Sequence, residues 1–290
     1  MMIDSENEPQ AGLNVELAPL ALTPEDRADL ERAVALLENP GLVARLSDIL
    51  GKPIDIVIDR LPAGAASTID GATRGALRAA LGLALSTLDT SRRGRARNRF
   101  HAVAAGAAGA AGGAFGLASL AVELPMTTTI ILRSVADVAR SEGENLRNIQ
   151  TRLACLEVFA LGGRTRADDA AESGYFAVRT ALAQAVNEAA RYISRRTTIE
   201  KGAPVIARLV AGIASRFNTV VAEKIVAQGV PVVGAVGGAA INVAFVRHFQ
   251  SMARGHFVIR RLERTYGEAI IREEYGRLAR CESLPADNRS

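Results

Sequence analysis

The chain has 290 residues, 35 basic and 31 acidic side chains, a net charge of +4 and 49% hydrophobic residues, which excludes a chain disordered throughout. Its two cysteines, Cys155 and Cys281, are too far apart for a disulfide framework or a paired-cysteine zinc or redox motif, so a reducing compartment is expected. The opening MMIDSENEP is acidic and polar, unlike an export signal, and a cytoplasmic location follows as an expectation.

Charge is unevenly spread. Residues 1–50 carry ten acids and three bases, whereas residues 51–100 carry nine bases and four acids. Residues 1–22 mix acids, Pro9 and Pro19 without a sustained period and read as an acidic flexible tail. A helical domain is expected over 23–280, followed by a polar tail over 281–290.

The first helix is announced by Thr23-Pro24-Glu25-Asp26. The threonine accepts from orphan amides, proline suits the first helical position, and the acids suit the positive helix end. Leu30, Ala33, Val34 and Leu37 form its apolar stripe, and Asn39-Pro40-Gly41 stops it. Further helices are expected over 42–50, from Pro53 to about 61, and over 76–88, 125–140, 147–161, 168–195, 203–226, 231–247 and 256–280. No segment alternates cleanly for more than about five residues, so sheet is not supported and the fold class is all-α.

Two stretches lack charge: Ala102–Val122, with ten alanines and five glycines, and Ile225–Val246, with seven valines. Each is long enough to cross a hydrocarbon core of about 30 Å, although an alanine- and glycine-rich composition favours burial in protein over insertion. Gly109 and Gly113, Gly112 and Gly116, and Gly234 and Gly238 are four apart, a spacing that lets helix backbones approach closely, in a soluble core or a membrane homo-oligomer.

The glycine-rich run before Glu123-Leu124-Pro125, the segment Leu156–Gly163 ending in Gly162-Gly163, and Pro231-Val232-Val233-Gly234-Ala235-Val236-Gly237-Gly238 with Asn242 together resemble the EcsC family. Leu36-Leu37-Glu38-Asn39 and Leu50-Gly51-Lys52-Pro53 look like that family's opening helices, so the resemblance covers residues 25–270. It implies a bacterial protein, with an ABC transporter or secretion component as partner, and members are sometimes labelled peptidases. It supplies no catalytic residue set.

The residues do not supply one either. The HExxH, GxSxG and SxxK patterns are absent. GxGxxG and the P-loop are absent too, so no cofactor or metal is expected. A hydrolase is the alternative reading, with a site assembled from dispersed residues such as His101, Glu123, Glu157 and His248. Cys155 lies in an apolar run and reads as a core side chain, and Cys281 as an exposed bystander.

Basic residues carry the leading reading. Arg92, Arg93, Arg95, Arg97 and Arg99 put five charges in eight residues beside the first uncharged stretch, an arrangement suited to anionic headgroups or to pairing with the acidic amino-terminal half. Stacking aromatics and a groove-reading motif are lacking, so nucleic acid is not expected. Arg133, four residues before Asp137, either pairs locally on an exposed face or stands at an apolar mouth to hold a carboxylate or phosphate. Arg254, Arg260, Arg261 and Arg264 are interleaved with Glu263 and Glu268 and are expected to pair along one helix. The expectation is a non-catalytic, lipid-contacting helical protein, peripheral to the inner membrane or inserted in it, with a soluble transporter adaptor as a further alternative.

Overall fold

The computed structural model describes residues 21–38, 42–50, 64–88, 120–163, 174–195, 200, 203–228 and 234–283. The Arg92–Arg99 cluster, His101, Gly109, Gly112, Gly113, Gly116 and Pro231 lie outside the described residues. So does the expected helix from Pro53.

Nine helices and no strand occur among the described residues: α1 (Pro24–Glu38), α2 (Leu42–Leu50), α3 (Ala65–Thr87), α4 (Leu120–Ser141), α5 (Ile149–Leu161), α6 (Gly174–Ser194), α7 (Pro204–Gln228), α8 (Gly234–Tyr266) and α9 (Glu268–Ser283). The fold is all-α. Thr23 caps α1 as its sequence requires, its Oγ1 accepting from the Asp26 amide at 3.1 Å. Asn148 does the same for α5, accepting from the Gln150 amide at 2.9 Å.

Helix α4 begins five residues before the expected start at Pro125. Proline there removes the bond to the Ala121 carbonyl, but Ala121 is exposed and water can serve it. Burial of Leu120, Glu123 and Leu124 holds the extra turn. A larger correction concerns α8. Two helices were expected over 231–247 and 256–280, yet the chain runs unbroken from Gly234 to Tyr266 and turns at Gly267, whose φ of 92° favours glycine. Gly255 does not break the helix. It admits Leu37 of α1, whose Cγ would lie 2.6 Å from a Cβ at that position.

Helix α5 is buried on every side, with Leu153 through Leu161 all inside. Around it Phe159, Phe217, Phe245 and Phe249 pack with ring centroids 5.1–6.2 Å apart. Phe217 of α7 touches Phe249 of α8 at 5.5 Å. A continuous helix would separate them by about 48 Å, so the chain doubles back between α7 and α8. The uncharged stretch 225–246 is therefore divided between two helices and does not form one spanning segment.

Candidate functional site

Helix direction decides which residues share an end of the bundle. Gln250 donates to Ser134 Oγ at 2.8 Å and Arg260 to Glu144 at 2.7 Å, both at a sequence offset of 116, so α8 runs parallel to α4. Phe217 of α7 meets Phe249 of α8 while Lys224, a further two turns along α7, meets the earlier Phe245, so α7 runs opposite to α8, and its end reaches Glu123 near the start of α4. The starts of α4 and α8 and the end of α7 thus lie at one end of the bundle, where both uncharged stretches of the sequence arrive.

That end presents the two exposed large hydrophobics among the described residues, Val122 at 72% and Met126 at 48% exposure, one turn apart on α4. Beneath them the flanking charges are hidden. Lys224 Nζ pairs with Glu123 Oε1 at 2.6 Å, Gln228 donates to the same oxygen at 3.2 Å, and the Lys224 ammonium lies 5.0 Å from the Phe245 ring. Burial lowers the Lys224 pKa, and the Glu123 carboxylate offsets part of that shift.

Further along the bundle a groove of about 580 Å³ opens between α2 and α8. On α8, Ala240, Ala244, Arg247, Ser251 and Arg254 recur at spacings of three, four and seven and form one wall. Arg45 and Asp48, three apart on α2, form the other. Arg45, Arg247 and Arg254 are exposed and make no ion pair with the described residues. Arg133 is likewise exposed, two turns beyond Met126. Asp137, four residues after Arg133, pairs instead with Arg140 at 2.7 Å.

The later arginines of α8 are consumed by the fold. Arg260 and Arg264 bind Glu144, Arg261 binds Asp26, Asp29 and Glu142, and Glu263 receives Arg179 through two bonds of 2.6 and 3.2 Å. The expectation of pairing along one helix is corrected: these contacts join α8 to α1, to α6 and to the turn that follows α4, which bring carboxylates within reach of its arginines.

A buried polar network adjoins them. Arg179 donates to the Tyr175 hydroxyl at 3.2 Å, and that hydroxyl shares a hydrogen bond with His256 Nδ1 at 3.0 Å. Burial, aided by Arg260 and Arg179, drives the His256 pKa well down and keeps the ring neutral. Burial raises the Glu157 pKa, against the opposing charges of Arg179 and Arg260.

The described members of the hydrolase set do not converge. Glu123 faces Lys224, Glu157 lies among α5, α6 and α8, and His248 Nε2 donates to the Gly162 carbonyl at 3.0 Å. No group of three or more potential metal ligands occurs among the described residues. Cys155 is buried, with its thiol pKa pushed up by that burial, and Cys281 is exposed. Gly162 and Gly163 sit at tight crossings: a Cβ would lie 2.7 Å from His248 Nε2 at the first and 2.1 Å from the Arg216 carbonyl oxygen at the second. Gly234 opens α8, Gly237 is half-buried, and Gly238 and Asn242 are buried in it. One helix among the described residues, Pro204–Gln228, is long and apolar enough to cross a membrane, with a mean hydropathy of 1.4 and 44% of its apolar window buried.

Sequence reasoning missed the groove and the Glu123–Lys224 pair. The repeat of Arg247, Ser251 and Arg254 was visible as a stripe, but nothing in the sequence placed α2 opposite it.

Fold and site together define an all-α helical bundle with an apolar end and a groove whose arginines have no ion-pair partner among the described residues. The chain belongs to the EcsC protein family, which matches residues 37–262. No curated protein and no solved structure matches it.

Proposed function

We propose that this protein is a non-catalytic membrane-surface protein that seats the shared end of α4 and α8 against an anionic bilayer. The observation that carries the reading is the joint placement of exposed Val122 and Met126 at that end with Arg133 about 10 Å further along α4. A side chain at the tip reaches the acyl boundary while a guanidinium two turns behind stays at the phosphates. The buried Glu123–Lys224 pair supports this by leaving the tip without exposed charge from either residue.

The magnitudes favour reversible docking over insertion. Burying the exposed surface of Val122 and Met126 contributes about 2–3 kcal/mol. Each arginine near the surface adds about 1 kcal/mol, which a Debye length of about 10 Å at 0.1 M salt largely screens as salt rises. Such a seat also places the protein beside a membrane-borne transport or secretion component, the partner implied by the resemblance.

The test is co-sedimentation of the full chain with vesicles of phosphatidylcholine alone or with phosphatidylserine. Binding to the anionic vesicles, lost in 0.5 M salt and weakened at least tenfold by Val122→Asp with Met126→Asp, is expected. Failure to bind anionic vesicles at low salt, or equal binding to neutral ones, overturns the reading.

A further inference from the structure

The α2–α8 groove gathers arginines from two helices whose charge the described fold leaves without a carboxylate. Several other exposed arginines find carboxylates: Arg208 pairs with Glu188 at 2.7 Å, Arg277 with Glu274 at 2.7 Å and Arg272 with Glu268 at 3.4 Å. In the groove Arg45 lines one wall and Arg247 and Arg254 the other, and none has an ion-pair partner among the described residues. Asp48 is the single carboxylate on the lining, so the walls carry a formal charge of +2.

We propose that this groove binds one phosphate monoester, carried by a lipid headgroup or by a free small molecule. A phosphate monoester bears about −1.5 to −2 at neutral pH and matches the lining, whereas a diester bears −1 and leaves charge uncompensated. Guanidinium forks meet phosphate oxygens in pairs, and Arg247 and Arg254, two turns apart on α8, line the groove with Arg45 opposite, so a ligand seated there has such forks on both walls. Ser251 adds a hydroxyl donor beside them. The volume, about 580 Å³, lies within the range of small-molecule sites, roughly 300–1,000 Å³, and exceeds what a bare phosphate fills.

The groove also has a direction. By the 116-residue offset, Ala240 and Ala244 lie level with residues flanking Met126, so the small-residue end of the groove faces the apolar end of the bundle and its arginines lie deeper. A lipid bound there keeps its phosphate at Arg247 and Arg254 while its chains leave toward the bilayer. The lipid form of the proposal rests on the membrane reading above; the free-ligand form does not.

The experiment uses the full chain in two arms. In the first, vesicles containing phosphatidic acid are compared with phosphatidylserine vesicles at matched surface charge. In the second, glycerol 3-phosphate is titrated calorimetrically against glycerophosphocholine. At least fivefold tighter binding to phosphatidic acid, abolished by Arg247→Ala with Arg254→Ala, supports the groove. The same double variant is expected to keep its helical circular dichroism and residual anionic-vesicle binding. Arg191→Ala with Arg195→Ala, in a separate depression at the start of α5, is expected to leave the preference intact. Saturable glycerol 3-phosphate binding without vesicle binding sinks the membrane reading and keeps the phosphate site. Equal affinity for both lipid classes, together with no saturable glycerol 3-phosphate binding, overturns the groove proposal even if vesicles still bind.

Discussion

Lys224 Nζ lies 2.6 Å from Glu123 Oε1, and both side chains are buried where the end of α7 meets the start of α4. Two charges taken out of water repay their desolvation only through each other, so removing one leaves an uncompensated buried ion. Lys224→Met or Glu123→Leu alone is expected to cost about 3–5 kcal/mol. Lys224→Met combined with Glu123→Leu should recover most of that loss, because apolar replacement of a whole buried pair is often neutral. Urea unfolding of the four proteins in a double-mutant cycle checks this. A double variant as unstable as the sum of its singles would show that the pair is not coupled.

Close approach makes a second prediction at Gly163. A Cβ there would stand 2.1 Å from the Arg216 carbonyl oxygen, and backbone cannot move aside as a flexible side chain can. Gly163→Ala is expected to cost about 3 kcal/mol or more by overpacking, at the upper end of the usual range. Gly71, exposed in α3, has nothing within 4 Å of its added Cβ. There alanine replaces the worst ordinary helix former, and Gly71→Ala should stabilise by about 0.5–1 kcal/mol. Thermal melts of both variants measure the contrast, and similar shifts at the two sites would refute it.

Local signals in the chain located most helices, and long-range pairing was where they stopped. The cap at Thr23 and the stripe from Leu30 to Leu37 depend only on near neighbours, and both stand in the structure. Helix α8 was misplaced because Gly255 and the polar residues around it interrupt the apolar pattern. Only the arrival of Leu37 from α1 explains why a glycine belongs inside that helix. Arg260, Arg261 and Arg264 were read against acids on their own helix, since spacing along a helix is all that a sequence displays. Their actual partners, Asp26, Asp29, Glu142 and Glu144, are set by how α1, α4 and α8 pack. The groove was hidden for the same reason: its two walls are about 200 residues apart in the chain.

Glu157 gives the fold a dependence on pH whose sign can be worked out. Burial raises its pKa above the ordinary value of 4.5, while Arg179 from α6 and Arg260 from α8 pull the other way and fail to cancel it. An acid whose folded pKa lies above its unfolded value binds its proton more tightly when folded. Its contribution to stability is complete below about pH 4.5 and is lost as pH rises through the folded pKa. Glu144 acts in the opposite sense. Burial pushes its carboxyl up, but Arg260, Thr151 and Arg264 together carry its pKa below the usual value, so its contribution disappears on acidification. Glu157→Gln removes the first effect and leaves the second. The variant is therefore expected to gain stability relative to the parent between pH 5 and pH 8, by up to about 1.4 kcal/mol for each unit by which the folded pKa is raised. Urea midpoints at pH 5 and pH 8 for both proteins give the answer. A stability difference that stays constant across that range would mean that Glu157 holds the same charge in the folded and unfolded chains.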